Sequence, residues 1–251
     1  MYATLIAVAA LWGAAAGLLV PRAAYRLSVE PEESWRDACP AGHPFAGPAR
    51  GWIGGARCAA CANGSGPVTG PTGRVAAPLV TALVCAALAA AAGPRPELAV
   101  WLLVVPFTVL LAAVDLTVHR LPDQLTLPLA GGAAVLLGGA ALLPGAAGSW
   151  WTALLGGLAL GAAYFVLFLI NPNGMGFGDV KLALPLGVAL GWYGWEVLFV
   201  GAFAGFLFGA VYGVGLMLLR RASRKSAIPF GPFMAAGAFL GLLLGAFVNA
   251  G

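Results

Sequence analysis

Eight long apolar runs, separated by short connections and one long polar segment, restrict the fold of this chain more than any other feature. The first run extends from Ala3 to Val20, and the others cover residues 75–92, 98–114, 126–147, 150–170, 181–195, 196–219 and 228–249. A helix needs about 20 predominantly apolar residues to cross a bilayer. Only 9% of the residues are charged, against about 25% in soluble domains. The sequence therefore predicts an all-α membrane protein, a polytopic bundle of about eight transmembrane helices, and excludes a soluble globule, a disordered chain and a disulfide scaffold.

The basic residues predict how these spans are oriented. If the spans alternate in direction, one side of the membrane carries Arg22, Arg26, Arg36, Arg50, Arg57, Arg74, Arg120, Lys181, Arg220, Arg221, Arg224 and Lys225, and the other carries only Arg95. Basic residues accumulate on the cytoplasmic side of membrane proteins. We therefore expect a multi-pass membrane protein with both termini outside and the basic side in the cytoplasm. The asymmetry explains the net charge of +4 through contacts with membrane lipid, and no nucleic-acid partner is expected.

The first apolar run is interpreted as an anchor helix. No basic residue precedes it, whereas Arg22 and Arg26 follow it, and a secretory signal peptide has the opposite order of charge. Cleavage after the Ala14-Ala15-Ala16 stretch is the alternative. The expected organisation is a first transmembrane helix at 1–20, a polar cytoplasmic loop at 21–74 and a seven-helix membrane domain at 75–251.

Few acidic side chains lie within or beside the spans, and each is a functional candidate because a charge at membrane depth is costly. They are Glu97, Asp115, Asp123, Asp179 and Glu196. Glu97 and Glu196 fall in outer turns, where we expect solvated helix caps. Asp115, Asp123 and Asp179 fall in inner loops, at one end of the bundle.

Asp115 and Asp179 can converge on a single water molecule. One carboxylate would then accept the proton of the water while the other, held neutral by its neighbour, donates to a carbonyl oxygen. Glycines at positions 174, 176 and 178 would let an extended peptide approach Asp179 closely. The alternative is that the acids cap helices, Asp179 at the sixth span and Asp123 at the fourth. Spacing alone leaves both interpretations open.

A family resemblance favours the first interpretation. Gly176-Phe177-Gly178-Asp179 is the GxGD signature of intramembrane aspartyl proteases. Together with Asp115, the Leu121-Pro122-Asp123 loop and the stretch from Ile228 to Pro232, it makes the chain resemble the type IV prepilin peptidases from about Gly17 to Ala238. The presenilin and signal-peptide-peptidase group fits less well, because Val114 stands where that group has Tyr and no Pro-Ala-Leu motif is present.

The resemblance implies an aspartic endopeptidase in which Asp115 and Asp179 are the catalytic pair. Asp123 is expected to support the site or cap its loop, with a direct catalytic role as the alternative. Gly176, Gly178 and Lys181 are supporting residues, and Lys181 and Arg120 are expected to anchor helices at the inner interface. The implied substrates are prepilin-like proteins of type IV pili or protein secretion systems. Their short basic leader, which ends in Gly before an apolar helix, would be cleaved at the cytoplasmic membrane face.

Cys39, His43, Cys58 and Cys61 form a candidate metal site in the polar loop. Four soft ligands in two close pairs are typical of a closed tetrahedral zinc site, and in a small cytoplasmic loop the metal would supply folding energy. Prepilin peptidases typically carry two Cys-x-x-Cys pairs here. In this chain the first pair reads Cys-Pro-Ala-Gly-His, so either His43 replaces a thiolate or the site has decayed. Cys85 is expected to be an inert packing residue.

Relatives of this kind also include N-methyltransferases that use S-adenosylmethionine on the new amino terminus. Tyr25-Arg26-Leu27 fits the stretch after the first span, but the usual Asn nearby is replaced by Val20-Pro21. Two interpretations therefore remain, a bifunctional enzyme and a peptidase without methyltransferase activity. The alternative from another functional class is a non-enzymatic membrane transporter or assembly factor. In such a protein the inner-loop carboxylates could be replaced without loss of function.

Overall fold

The computed structural model describes residues 2–30, 32–58, 60–61, 71–172, 174–219 and 228–249. The expected basic residues Arg220, Arg221, Arg224 and Lys225 lie outside these ranges. Within the described ranges, ten helices follow one another: α1 (Tyr2–Gly17), α2 (Val20–Leu27), the single turn α3 (Pro48–Gly51), α4 (Pro71–Ala92), α5 (Pro96–Val118), α6 (Asp123–Ala141), α7 (Trp150–Ile170), α8 (Phe177–Trp192), α9 (Trp195–Leu218) and α10 (Gly231–Val248). The described residues contain no β-strand, which confirms the all-α prediction.

Seven helical stretches among the described residues are long and apolar enough to cross a membrane. They are Tyr2–Leu27, which joins α1 and α2, together with α4, α5, α6, α7, α9 and α10. The sixth predicted span, residues 181–195, corresponds to α8, which has only 16 residues. A helix of that length covers about 24 Å, less than the roughly 30 Å of the hydrocarbon core. The chain is therefore an integral membrane protein built on seven long apolar helices and one shorter helix.

Helix α8 lies in the centre of the bundle. Twelve of its sixteen residues are buried, and it packs against α6, α7, α9 and α10. Leu182, Leu190 and Trp192 are among the most completely buried side chains of the described chain. A helix that is apolar on every side is expected where neighbouring helices surround it.

Glycines allow several helices to approach each other closely. A Cβ atom at Gly187 of α8 would lie 2.5 Å from the carbonyl oxygen of Gly156 in α7. A Cβ atom at Gly237 of α10 would lie 2.5 Å from the carbonyl oxygen of Gly201 in α9. Small residues at helix contacts are typical of membrane bundles because packing and lipid release drive association there. The abundance of glycine therefore has a direct packing role.

Loops from distant parts of the chain meet at the two ends of the bundle. At one end, the Ser149 N–H donates to the Trp192 carbonyl oxygen at 2.9 Å, and Arg95 Nη2 donates to the Asn249 carbonyl oxygen at 2.6 Å. At the other end, Arg120 Nη1 donates to the Glu30 carbonyl oxygen at 3.0 Å. The α5–α6 loop, the α7–α8 loop and the start of α10 all lie at this second end, where the acidic side chains of interest are found.

Candidate active site

Asp115 lies in the last turn of α5 and is only 4% exposed. The helix ends directly after it, because His119 adopts a left-handed conformation with φ 51° and its N–H donates to the Asp115 carbonyl oxygen. The N–H of Gly231 donates to Asp115 Oδ2 at 2.9 Å. Since Gly231 is the first residue of α10, this bond joins the end of one helix to the start of another and fixes the carboxylate.

Asp179 lies in the first turn of α8 and is 7% exposed. Its Oδ2 accepts the N–H of Gly176, the residue before the helix, at 3.1 Å. A carboxylate at this position also interacts favourably with the positive end of the helix dipole. The helix-capping interpretation is therefore correct for Asp179, and capping leaves its carboxylate facing the cavity described next.

Asp115 and Asp179 line the same cavity, which has a volume of about 1,140 Å³. The Asp115 charge acts electrostatically on Asp179, so the two carboxylates interact although 64 positions separate them in the sequence (179 − 115 = 64). Two neighbouring buried carboxylates do not readily ionise together and tend to share one proton. Such a pair offers one base and one acid for reaction with a peptide carbonyl and a water molecule.

The glycines of the GxGD signature have different structural roles. A Cβ atom at Gly178 would lie 3.1 Å from the Cβ atom of Leu121, so this glycine brings the start of α8 against the α5–α6 loop. A Cβ atom at Gly176 would make only ordinary van der Waals contacts, the nearest with Asp179 Oδ2 at 3.5 Å. Its φ of −72° is one that any residue can adopt, so this position does not require glycine. The close approach at Gly178 positions Asp179 relative to Asp115.

Asp123 and Lys181 form an ion pair in the same cavity. Lys181 Nζ lies 2.6 Å from Asp123 Oδ1 and 4.7 Å from the centre of the Phe177 ring. Asp123 is the first residue of α6, and its own side chain makes no capping bond there. Lys181 therefore connects α8 to α6, whereas Arg120 connects the α5–α6 loop to the segment after α2 through the Val29 and Glu30 carbonyls.

The structure adds residues that sequence reasoning did not place in the site. Gly231 appeared in the sequence analysis only as part of a motif, and its N–H provides the bond to Asp115.

An aromatic cluster also borders the site. Tyr164 of α7 is buried, and its ring stacks on Phe206 at 5.3 Å and lies 6.2 Å from Phe230. Phe206 and Phe230 line the cavity. This aromatic cluster fixes the segment that carries Gly231, and its only sequence signal was the presence of three aromatic residues in apolar runs.

The expectation that Glu97 is a solvated cap is wrong. Glu97 is completely buried in the first turn of α5, and its Oε1 accepts a long bond from the Tyr193 hydroxyl at 3.5 Å. The Tyr193 oxygen in turn accepts the Trp101 Nε1–H at 3.3 Å. Tyr193 follows α8 and is 96 positions from Glu97 in the sequence, so a linear sequence pattern does not reveal this contact. Glu196 is exposed, as expected.

Cys39, His43, Cys58 and Cys61 come together in the segment between α2 and α4. One ligand atom from each residue lies within 4.8 Å of all the others. Cys39 Sγ is 3.7 Å from Cys61 Sγ, and His43 Nδ1 is 3.2 Å from Cys61 Sγ. Ligands bound tetrahedrally at about 2.3 Å are separated by roughly 3.8 Å. The four residues can therefore hold a metal ion, with His43 in the position of the missing thiolate.

The cysteine thiols have strongly altered acidities. Burial acts to raise the pKa of Cys39, but hydrogen bonds from the His43 and Ala41 backbone and from the His43 and Cys61 side chains outweigh it and lower the pKa to about 6. Burial and the neighbouring Cys39 and Cys58 raise the pKa of Cys61 to about 11. A divalent cation binds cysteine as the thiolate, so a metal bound here would displace the proton that Cys61 holds.

Two arginines of α2 hold this cysteine–histidine segment in place. Arg22 and Arg26 are buried, whereas the charge pattern alone assigned them only to the inner side of the membrane. Arg22 donates to the carbonyl oxygens of Gly55 at 2.9 Å and Arg57 at 3.0 Å. Arg26 donates to the Arg50 carbonyl at 3.0 Å and lies 4.0 Å over the Trp52 ring. The buried cations thus organise a segment that has few apolar residues of its own.

Comparison with known proteins identifies the family. Residues 102–214 match the sequence model of the type IV leader peptidase family. The leader peptidase HopD of Escherichia coli is 36% identical over 137 residues, which cover 53% of this chain and 84% of that protein. The chain belongs to the type IV leader peptidase family. The matched region contains both Asp115 and Asp179, and the resemblance inferred from the motifs is confirmed.

Other members of the type IV leader peptidase family are longer than the region they share with this chain. The prepilin leader peptidase/N-methyltransferase of Aeromonas salmonicida is 36% identical over 168 residues, covering 66% of this chain and 56% of that protein. The protein of the same name from Bacillus subtilis is 31% identical over 173 residues, covering 68% and 65%. The chain thus spans little more than half the length of the Aeromonas relative. No solved structure matches it significantly.

Proposed function

We propose that this chain is a membrane aspartyl endopeptidase that removes the short basic leader of prepilin-like proteins, with Asp115 and Asp179 as the catalytic pair. The observation that carries the proposal is the meeting of two buried carboxylates, from the end of α5 and the start of α8, in one cavity. Each is fixed by a backbone N–H. Membership of the type IV leader peptidase family supports the same reaction.

The geometry suggests how the pair divides the chemistry. Both backbone N–H bonds go to Oδ2 atoms, so the Oδ1 atoms are the ones assigned to water and substrate. One carboxylate accepts a proton as the water oxygen attacks the scissile carbonyl carbon, and the protonated partner donates to the carbonyl oxygen. Collapse of the tetrahedral intermediate then breaks the C–N bond, and the leaving amine takes up a proton from the dyad.

The substrate class, a protein with a short basic leader before an apolar helix, comes from the family resemblance. The cavity that would receive it is lined by three carboxylates, Asp115, Asp123 and Asp179, together with the cations Arg120 and Lys181. The apolar segment that follows such a leader would remain among the helices. The Aeromonas and Bacillus relatives are named prepilin leader peptidases, and we extend that substrate class to this chain.

Cleavage of a purified prepilin-like substrate tests this proposal. We expect Asp115→Asn and Asp179→Asn to lower the turnover by at least about 10²-fold, the usual loss when an acid–base group is removed. Glu196→Gln, which removes an exposed carboxylate, is the matched control and retains full activity. Asp123→Asn separates the alternatives, because a supporting residue leaves residual turnover. An active Asp179→Asn protein, or activity lost only in Asp123→Asn, would refute the assignment and favour a non-enzymatic or differently built site.

We further propose that the site faces the cytoplasm across the bacterial inner membrane. The support is the charge asymmetry. Arg120 lies in the α5–α6 loop and bonds to the segment that follows α2. Arg22 and Arg26 of α2 bond to the same segment, which contains Arg50, so these arginines lie at the end of the bundle where the two aspartates lie. A membrane-impermeant maleimide added to spheroplasts should label Glu196→Cys and leave Arg50→Cys unlabelled until the membrane is opened. The reverse labelling pattern would overturn the orientation.

The metal held by Cys39, His43, Cys58 and Cys61 is proposed to be a structural zinc ion. Three sulfur donors and one imidazole nitrogen at tetrahedral spacing match the closed donor set of structural zinc sites. When bound, zinc would supply folding energy to the segment. All four positions are occupied by protein ligands, so no open coordination site is assigned to catalysis.

Methylation of the new amino terminus, with S-adenosylmethionine as donor, is a second candidate activity. The Aeromonas and Bacillus relatives are named as N-methyltransferases as well as peptidases, whereas the E. coli relative is named only as a leader peptidase. We assign no residue of this chain to the cofactor. Mass spectrometry of the processed substrate decides the question, because a methylated product is heavier by one methyl group.

A further inference from the structure

A second large cavity lies apart from the carboxylates, between α4 and α10, with α5 as its floor. It has a volume of about 670 Å³. Val84 of α4, Val105 of α5 and Phe239 of α10 are among the apolar side chains that line it. Val80 and Leu116 also line it and are 45% and 61% exposed. The cavity therefore opens sideways, towards the region that lipid occupies around a membrane bundle.

The length and the lining of this lateral cavity match extended hydrocarbon. Its floor extends along α5 from Trp101 to Thr117, about 24 Å of helix, which is most of the roughly 30 Å hydrocarbon core of a bilayer. Apart from Thr108 and Thr117, the α5 residues that line it are apolar.

One end of the lateral cavity is polar and positively charged. Tyr25, Ser28 and Arg36 line it at the end nearest α2. The Ser28 hydroxyl donates to the Ala24 carbonyl oxygen at 2.7 Å and is thereby satisfied. Arg36 is exposed, and its guanidinium lies 4.6 Å over the Tyr25 ring with one bond, from Nη1 to the Tyr25 carbonyl oxygen at 3.1 Å.

Arg36 is a cation at the mouth of a hydrocarbon cavity that has no acidic side chain among its described lining residues. A guanidinium has five N–H donors in a planar fork that matches a phosphate group. Its contact with Tyr25 fixes the position of that fork and leaves donors for a ligand. A negatively charged group attached to an apolar chain therefore complements both parts of the cavity.

We infer that the lateral cavity is a binding site for an anionic phospholipid, with an acyl chain along α5 and the phosphate of the headgroup at Arg36. The site is separate from the proposed peptidase centre, although both use α5 and α10. Pro232 and Ala235 of α10 line the lipid cavity, and Gly231 bonds to Asp115. A bound chain would thus fill the space beside the helix pair that positions Asp115.

Native mass spectrometry of the purified full chain tests the inference, with phosphatidylglycerol and phosphatidylcholine as alternative probes. We expect phosphatidylglycerol to bind about fivefold more tightly, the usual effect of one basic residue near an anionic headgroup. Arg36→Gln should remove this preference. Arg50→Gln is the matched control, because it removes an exposed charge from the same segment outside the cavity lining and should bind like the parent.

A second pair of variants tests the hydrocarbon part of the site. Ala236 lines the cavity and is exposed, so Ala236→Phe should fill it and reduce retention of both lipids several-fold. Ala210→Phe, on an exposed position of α9, is the control. If Ala236→Phe does not fold, Val80→Phe serves the same purpose. Equal binding of the two lipids by the parent, or unchanged binding in both Arg36→Gln and the cavity-filling variant, would overturn the inference.

Discussion

The backbone N–H of Gly231 donates to Asp115 Oδ2 at 2.9 Å, and a Cβ atom at position 231 would lie 2.8 Å from that same oxygen. The start of α10 and the end of α5 therefore touch through a contact that only glycine permits. Because the bond goes to a backbone donor, the carboxylate is held in place by the start of α10 itself. Such a pairing suits a carboxyl group that has to exchange protons.

Replacing Gly231 with alanine should displace the Asp115 carboxylate. The added methyl group needs about the space that Oδ2 now occupies, and a shift of about 1 Å at a reacting group can cost on the order of 10²-fold in rate. We expect the turnover of Gly231→Ala to fall by about that factor, measured with a prepilin-like substrate. Gly215→Ala, where nothing lies within 4 Å of the new atom, should be fully active. A fully active Gly231→Ala protein would contradict this account.

The Lys181–Asp123 ion pair should contribute more to positioning than to stability. It joins α8 to α6 at 2.6 Å, but the Asp123 side chain is 53% exposed, and exposed pairs contribute about 0–1 kcal/mol. We expect Lys181→Met and Asp123→Asn each to change the thermal midpoint by only a few degrees and to slow cleavage several-fold. A double-mutant cycle measures the coupling. Strictly additive effects on cleavage would show that the pair does not act as a unit.

The sequence predicted the helices well because apolar runs and Pro or Gly boundaries are local signals. The run at 126–147 nevertheless ends its helix at Ala141, since Pro144 and Gly145 follow and Gly145 has a φ of +84°. Burial could not be predicted in the same way, because it depends on which helices become neighbours in the folded bundle. Helix α8 and Glu97 are buried by distant segments, and no local pattern distinguishes them from peripheral helices and solvated turns.

The candidate site was predictable to the extent that it consists of motif side chains. Asp115 and Asp179 were inferred from their motifs, and the structure places both in one cavity. The donor that holds Asp115 was not inferred, because the backbone N–H of Gly231 has no side-chain signal. Arg22 and Arg26 were interpreted only through their charge, while their actual partners are carbonyl oxygens far along the chain. Long-range hydrogen bonds of this kind require the fold.

Helix contacts through glycine predict a stability defect with a clear control. A Cβ atom at Gly187 would approach the Gly156 carbonyl oxygen to 2.5 Å, so Gly187→Ala should push α8 away from α7. Overpacking of this kind costs typically about 1–3 kcal/mol, which thermal unfolding in detergent can measure. Gly131→Ala in α6 meets nothing within 4 Å and should be neutral or slightly stabilising, since alanine favours helix over glycine. Equal midpoints for the two variants would argue against close α7–α8 packing.

Removal of the metal should unfold the segment between α2 and α4 while leaving the helices intact. The segment has a small core of its own, made by Phe45 with Cys39 and Cys58, so the proposed zinc would supply most of its stability. We expect one equivalent of zinc per purified chain and new protease-sensitive sites within residues 32–61 after treatment with a strong chelator. Helical circular dichroism should change little.

Cys58→Ser should reproduce the effect of the chelator, because it removes one of the four ligands. Cys85→Ser is the matched control, since Cys85 is a buried thiol of α4 outside the cluster and its loss should leave the zinc content unchanged. Arg22→Met provides a further test of how the segment is held. It removes the donors to Gly55 and Arg57 and should weaken zinc retention without touching a ligand. Full zinc content in Cys58→Ser would show that the cluster is not a metal site.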